Sequence, residues 1–437
     1  MAPDPTPRKV WLWLALALWL IPCLVISVRV GTRPLKRTVT PLYHASVERW
    51  QQRQPLYDGP TGMNYLPTFV PLFTPYHALP LPLAEVLWRW TAMAGLAIGL
   101  WGFVRLAQGE PHREHGCIKL QFGGALERGG DSLSPPYRPN TTGDEPSPSR
   151  KLELEVAPRR ERPDRAFTVV SLLGVPLCLA ALNNGQANAH LGVALLLAAL
   201  CLATDKLWGA AMLIALAVAI KPLGVAAAGL AVLCFPRLCW RLGVALLLVF
   251  SIPFLLAPWP YVQSQFVAAF QNLRQCSEVT EHRFADLNGL LRTFGLPLGG
   301  QSSMCVRAGA GVFLAGFCLG WVRRLPPPER ALAWLASACC YLMLFNPMTE
   351  TNSYAVFGPP VALWAWQFFR LGQKQLAWVL AAMLVTMELL PTVLRPWLGN
   401  YFSLAWYPAM AILFLAILVL QFCRRKPLER VSEPVPL

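Results

Sequence analysis

A chain of 437 residues that is 55% hydrophobic and only 14% charged, with a mean hydropathy of +0.43, carries more apolar side chain than one soluble core can bury. That excludes an ordinary soluble domain and makes a polytopic membrane protein the first reading. The net charge of +15 does not point to nucleic acid, because most basic residues sit in short clusters between apolar runs, where they set topology and meet anionic lipid headgroups.

The first apolar run, Trp11 to Val28, follows Arg8 and Lys9. Its length, and the lack of a small-x-small cleavage pattern, predict a retained anchor rather than a removed signal peptide. Further apolar windows lie near 83–106, 166–182, 188–203, 207–220, 222–235, 240–258, 304–322, 330–346, 354–369, 376–394 and 402–423. Together they predict an all-α, polytopic transmembrane helical bundle of roughly twelve transmembrane or re-entrant helices. Residues 1–106 hold the N-terminal helices with an outside loop at 31–82, residues 166–423 the transmembrane core, and 424–437 an inside tail. Residues 107–165, rich in Pro, Gly, Ser and both charges, read as an inside, largely disordered insertion. Its His112, His115 and Cys117 lack a fourth ligand at a usual spacing, so no metal is expected. The 12 cysteines lie mainly in apolar stretches, where they behave as small hydrophobes, and no disulfide framework is expected.

With the N-terminus inside and twelve crossings, the later inside loops collect Arg237, Arg241, Arg323, Arg324, Arg370 and Lys374. The outside loops after residue 258 hold only Arg274, Arg283, Arg292 and Arg395, as the positive-inside rule requires. Both termini then lie in the cytoplasm. The loop 31–82, LNNGQANAH at 182–190, Lys221-Pro222, the loop 259–303 and NPMTETNSY at 346–354 all fall on the outer face.

These polar exceptions carry the candidate chemistry. Asn183, Asn184, Gln186 and Asn188 read either as caps of an interhelical turn made at Gly185 or as a wall of amides suited to sugar hydroxyls. Lys221, inside IALAVAIKPLG, is an ionisable group in an apolar stretch; it either snorkels to the interface or lines a cavity. Pro222 fits the first turn of the next helix, whose N-terminus favours an anion such as a lipid phosphate beside the ammonium. In the first loop Tyr43, Val47 and Trp50 fit one helical face, Pro67, Pro71 and Pro75 suggest a broken segment, and Glu48 and Asp58 are either surface charges or a general base. Arg283 and Arg292 give the second loop a basic side, and Glu350 and Asn352 open a further helix, with Glu350 as a cap or an acid.

The order LYHASVERWQQRQPLYDG, NYLPTFVPLFTP, NNGQANAHLGVALLLAALCLATDKLWGAAMLIALAVAIKPLG, DLNGLLRTFG and TETNSYAVFGPPVAL resembles glycosyltransferase family 87. The most specific part is G-Q-x-N at 185–188 followed by K-P at 221–222. The resemblance implies a GT-C fold in the cytoplasmic membrane, taking a hexose such as mannose from a polyprenyl phosphate to a glycolipid or glycan acceptor outside, with no cofactor. The residues read above fit it: Lys221, Arg283 and Arg292 as donor-phosphate contacts, the two arginines alternatively as interfacial anchors, and Asn184, Gln186, Asn188, Tyr43 and Asn352 as sugar or substrate contacts. Family members carry an aspartate shortly before the first-loop tyrosine; here Thr38, Val39 and Thr40 stand there, so Glu48, Asp58 or Glu350 has to serve as base. The alternative is a secondary transporter, or a protein that binds lipid-linked sugars without turning them over.

Overall fold

The computed structural model describes residues 8–33, 36, 38–58, 62–109, 162–277 and 284–424. Helices dominate, and no strand occurs among the described residues. The all-α expectation therefore holds, while the proposed insertion at 107–165 lies almost wholly outside the described residues.

The chain enters as α1 (Arg8–Thr32), passes two short helices, α2 (Thr40–Gln51) and α3 (Phe69–His77), and then forms α4 (Leu81–Ala107). A bent pair, α5 (Pro163–Gly174) and α6 (Pro176–Asn183), turns by 59°. Pro176 follows Val175 at the bend, where its missing N–H breaks the ladder. Three short apolar helices come next: α7 (Ala187–Ala203), α8 (Leu207–Ile220) and α9 (Gly224–Cys234). The second half holds α10 (Cys239–Leu256), α11 (Trp259–Ser277), α12 (Leu287–Thr293), α13 (Gly300–Gly320), α14 (Pro327–Phe345), α15 (Gly358–Arg370), α16 (Lys374–Leu398) and α17 (Tyr401–Arg424).

The count of about twelve crossings is overturned. Among the described residues only six helices are long and apolar enough to span a bilayer: Val10–Thr32, Leu81–Ala107, Pro236–Leu256, Gly300–Arg324, Lys374–Leu398 and Tyr401–Arg424. The bent α5–α6 pair makes seven if it counts as one span. The reason is that hydropathy registers burial of any kind. At about 1.5 Å per residue, α7, α8 and α9 reach only about 26, 21 and 17 Å, short of a ~30 Å hydrocarbon core. Their apolar residues face protein instead, as do those of α14 and α15, which are likewise missing from the six: Leu195, Ala198, Ile214, Ala217, Ala231, Trp334, Ala338, Trp364 and Phe368 are fully buried. On α1, by contrast, Leu12, Trp13, Leu20 and Ile21 are exposed, as lipid-facing positions should be. The parity argument built on twelve crossings falls with the count.

At the centre, α7 packs against α4, α8, α14 and a 3₁₀ turn at Thr351–Val356. The α4–α7 approach depends on missing side chains: a Cβ on Gly99 would lie 2.5 Å from Leu196 Cδ2. In α2, the predicted face Tyr43, Val47 and Trp50 is buried, and the proline-rich segment after it forms a helix that buries Phe69, Val70 and Phe73. The start of α7, the break between α8 and α9, the end of α14 and the segment around α2 converge on one cavity.

Candidate functional site

This cavity of about 190 Å³ is bordered by Tyr43 and Ser46 from α2, Asn64 and Tyr65 from the loop before α3, Gln186 and Asn188 at the start of α7, Lys221 and Pro222 from the α8–α9 break, Leu273 of α11, and Asn346, Glu350 and Ser353 after α14. The loop 31–82, the turn 182–190, Lys221-Pro222 and the segment 346–354 thus each send residues to one place. Its size is below the ~300–1,000 Å³ typical of drug-sized ligand sites, and Val39, Leu42, Met63, Leu223 and Met348 add apolar wall between the polar groups.

The amide wall is built from side chains that cap nothing. Gln186 stands at the N-cap of α7 with no side-chain capping bond; its Nε2 donates to Glu350 Oε2 at 3.0 Å. Asn188 Nδ2 donates to Gln186 Oε1 at 3.2 Å and to Ser353 Oγ at 3.0 Å. Its Oδ1 is buried with no hydrogen-bond partner among the described residues, which leaves an acceptor for a ligand hydroxyl. Glu350 likewise occupies an N-cap position without capping. It is solvent-exposed at the cavity border.

Two hydroxyls complete this side. Tyr43 accepts from Ala187 N–H at 3.1 Å and shares a hydrogen bond with Tyr65 at 2.9 Å. Burial and the nearby Glu350 charge push Tyr65 up to about 12, its bond with Tyr43 pulling the other way, so it stays neutral.

Lys221 is half-buried at the cavity. As the residue before proline it is extended, with φ −137° and ψ 126°, and this breaks the apolar run into α8 and α9. Helix α9 starts at Gly224, two residues later than Pro222 suggests. Burial lowers Lys221 to about 8, with Glu350 opposing the shift. Among the described residues no side chain forms an ion pair within 4.0 Å with its ammonium, so the cation is available to a ligand.

The remaining candidates lie elsewhere. Glu48 and Asp58 are exposed and do not border the cavity. Arg292 is half-buried on α12 and acts on Asp286, and Arg283 lies outside the described residues. Asn184 contributes its backbone carbonyl, which accepts from Val39 N–H and the Thr38 hydroxyl, and Ser353 rather than Asn352 borders the cavity.

Sequence reasoning missed Tyr65, Asn346 and a bracing loop. Ala285 N–H donates to Thr349 O at 2.6 Å, and Tyr354 OH donates to Ala285 O at 3.0 Å, tying this loop to the Glu350 segment. Asp286 caps α12 through Gly289 N–H at 2.7 Å, and burial pushes its carboxyl up to about 6. The D-x-x-G spacing of DLNG was the available signal. Behind the amide wall, Glu85 and Arg89 form a buried ion pair at 2.8 Å within α4, also unread in the sequence.

Compared with known proteins, residues 64–347 match glycosyltransferase family 87. No curated protein and no solved structure matches the chain. The match takes in cavity residues Asn64, Tyr65, Gln186, Asn188, Lys221 and Asn346 and ends just before Glu350. It spans well over half of a helical, multi-pass membrane protein, and the chain belongs to glycosyltransferase family 87.

Proposed function

We propose that the protein moves a hexose, mannose-like in class, from a polyprenyl phosphate to a hydroxyl of a glycolipid or glycan acceptor. The observation that carries this reading is the pairing of one available cation, Lys221, and one exposed carboxylate, Glu350, across a cavity walled by amides and tyrosines. The sugar enters, and the polyprenyl chain stays in the bilayer. Gln186, Asn188 and Tyr43 hold sugar hydroxyls. Glu350 takes the proton from the acceptor hydroxyl as its oxygen attacks the anomeric carbon. The bond from that carbon to the phosphate oxygen breaks, its electron pair leaves with the polyprenyl phosphate, and the Lys221 ammonium stabilises the charge that develops there. A single direct displacement of this kind inverts the anomeric centre.

Orientation follows from helix ends. Arg323 and Arg324 precede α14, and Arg370 and Lys374 lie where α15 passes into α16, whereas the cavity residues Asn346 and Glu350 lie at the opposite ends of α14 and α15. By the positive-inside rule the basic ends face the cytoplasm and the cavity faces outward from the cytoplasmic membrane. Both termini then lie inside. The test is incubation of the purified protein in lipid nanodiscs with a radiolabelled polyprenyl-phosphate hexose and extracted membrane acceptors. Label moving to an acceptor, with polyprenyl phosphate released, supports the reading. Donor binding without transfer refutes it and favours a lipid-linked-sugar binding protein.

A further inference from the structure

The turn that presents Gln186 is held from behind by a device that the reaction itself does not use. Helix α6 ends at Asn183, and the last carbonyls of any helix lack intrahelical partners. Here three successive carbonyls are taken by groups from other parts of the chain. Arg89 donates from Nε and Nη2 to Asn183 O at 3.4 and 3.3 Å. Val39 N–H and the Thr38 hydroxyl donate to Asn184 O at 3.0 and 3.1 Å. Trp88 Nε1 donates to Gly185 O at 2.9 Å. Arg89 Nη2 also donates to Thr38 Oγ1 at 2.9 Å, and Glu85, paired with Nη1 at 2.8 Å, fixes the guanidinium. Gly185 is in the left-handed region at φ +66°, and a Cβ there would lie 2.7 Å from Thr40 Cγ2 and 2.8 Å from Arg89 Nη2. No side chain larger than a hydrogen fits between the turn and its support without moving one of them.

Stability alone does not call for this arrangement. An ion pair buried in a membrane span is expensive, and well-packed apolar residues often serve folding as well or better. What apolar residues cannot do is donate to the carbonyls of a helix end. Gln186 follows directly on the carbonyl that Trp88 holds, and its side chain meets Glu350 at 3.0 Å. We infer that Arg89 and Trp88 are positioning residues for sugar transfer: they fix the 183–185 turn so that Gln186 holds Glu350 against the acceptor. The inference rests on the reading of Glu350 as base.

The test uses the full chain in nanodiscs and four variants: Trp88→Phe, Arg89→Lys, Trp334→Phe and Glu350→Gln. Trp88→Phe keeps an aromatic ring and deletes one N–H. Arg89→Lys keeps the charge for Glu85 and loses the fork that reaches Asn183. Trp334→Phe is the control: its Nε1 donates to Ala227 O at 2.9 Å, a bond of the same kind away from the cavity. In Trp88→Phe and Arg89→Lys, kcat of the folded fraction falls about tenfold, as loss of a buried hydrogen bond implies, and donor KM changes by less than about threefold. Trp334→Phe leaves kcat and donor KM unchanged. Wild-type kcat in Trp88→Phe, or an equal fall in Trp334→Phe, overturns the inference. If Arg89→Lys does not fold, Trp88→Phe decides alone. Full activity in Glu350→Gln refutes the base reading, and positioning is then judged on the kcat of Trp88→Phe and Arg89→Lys alone.

Discussion

Two pairs of opposite charge meet the turn at 183–186, and they are built in opposite ways. Glu85 and Arg89 are each only 1% exposed, lie 2.8 Å apart and direct their remaining polar atoms to His44, Thr38 and the Asn183 carbonyl. Lys221 and Glu350 border the open cavity and form no direct ion pair with each other. The closed pair has spent its charge on its neighbours, so it holds backbone. The open pair has kept its charge for something absent from the chain itself, which is what a phosphate and an acceptor hydroxyl require.

The sharpest way to break this comparison is to remove half of the closed pair. Arg89→Ala leaves Glu85 buried without its partner and is expected to lose about 3–5 kcal/mol of stability, measured by denaturant unfolding in detergent micelles. The double variant Glu85→Leu with Arg89→Met recovers most of that stability but not turnover. Recovery of both would reduce the pair to packing. The open pair responds differently. Lys221→Ala weakens donor binding about 10- to 100-fold, the worth of one charge-assisted hydrogen bond, with stability little changed. Lys374→Ala, at the opposite end of the fold, leaves binding untouched; equal losses from the two lysines would mean that Lys221 only reaches for the interface.

A smaller effect follows from pH. Because burial lowers Lys221 to about 8, its ammonium is present below that pH and is lost as pH rises through it. Donor affinity therefore falls above pH 8, by up to about tenfold per unit, in equilibrium binding from pH 6.5 to 9.5. Lys221→Ala shows no such fall, and a flat wild-type profile would contradict the assignment. Smallest of all, Glu48→Gln and Asp58→Asn, both exposed and away from the cavity, change kcat by less than about twofold.

Much of the site could be read from the residues, and the number of crossings could not. Amides at 186 and 188, a lysine before proline and an acid opening a helix are visible because each breaks an apolar pattern, and the fold brings Gln186, Asn188, Lys221 and Glu350 to one cavity. The helices α7, α8, α9, α14 and α15 misled the count because alanine and leucine facing protein look like alanine and leucine facing lipid; burial in the fold and, for all but α14, their length separate the two cases. Arg89 and Glu85 were overlooked although they stand four residues apart inside an apolar run, the spacing of a helical ion pair. What stayed illegible is their use: nothing in α4 states that its guanidinium will meet the carbonyl of Asn183, 94 positions further along.

The central claim is that Glu350 takes the acceptor proton while Lys221 holds the departing phosphate. The most direct measurement is single-turnover transfer from a radiolabelled polyprenyl-phosphate hexose by Glu350→Gln in nanodiscs, with donor affinity measured in parallel. Transfer is expected to fall by about 10²–10⁴-fold, the range for loss of a general base, while donor affinity stays at the wild-type value. Transfer at the wild-type rate would contradict the claim outright.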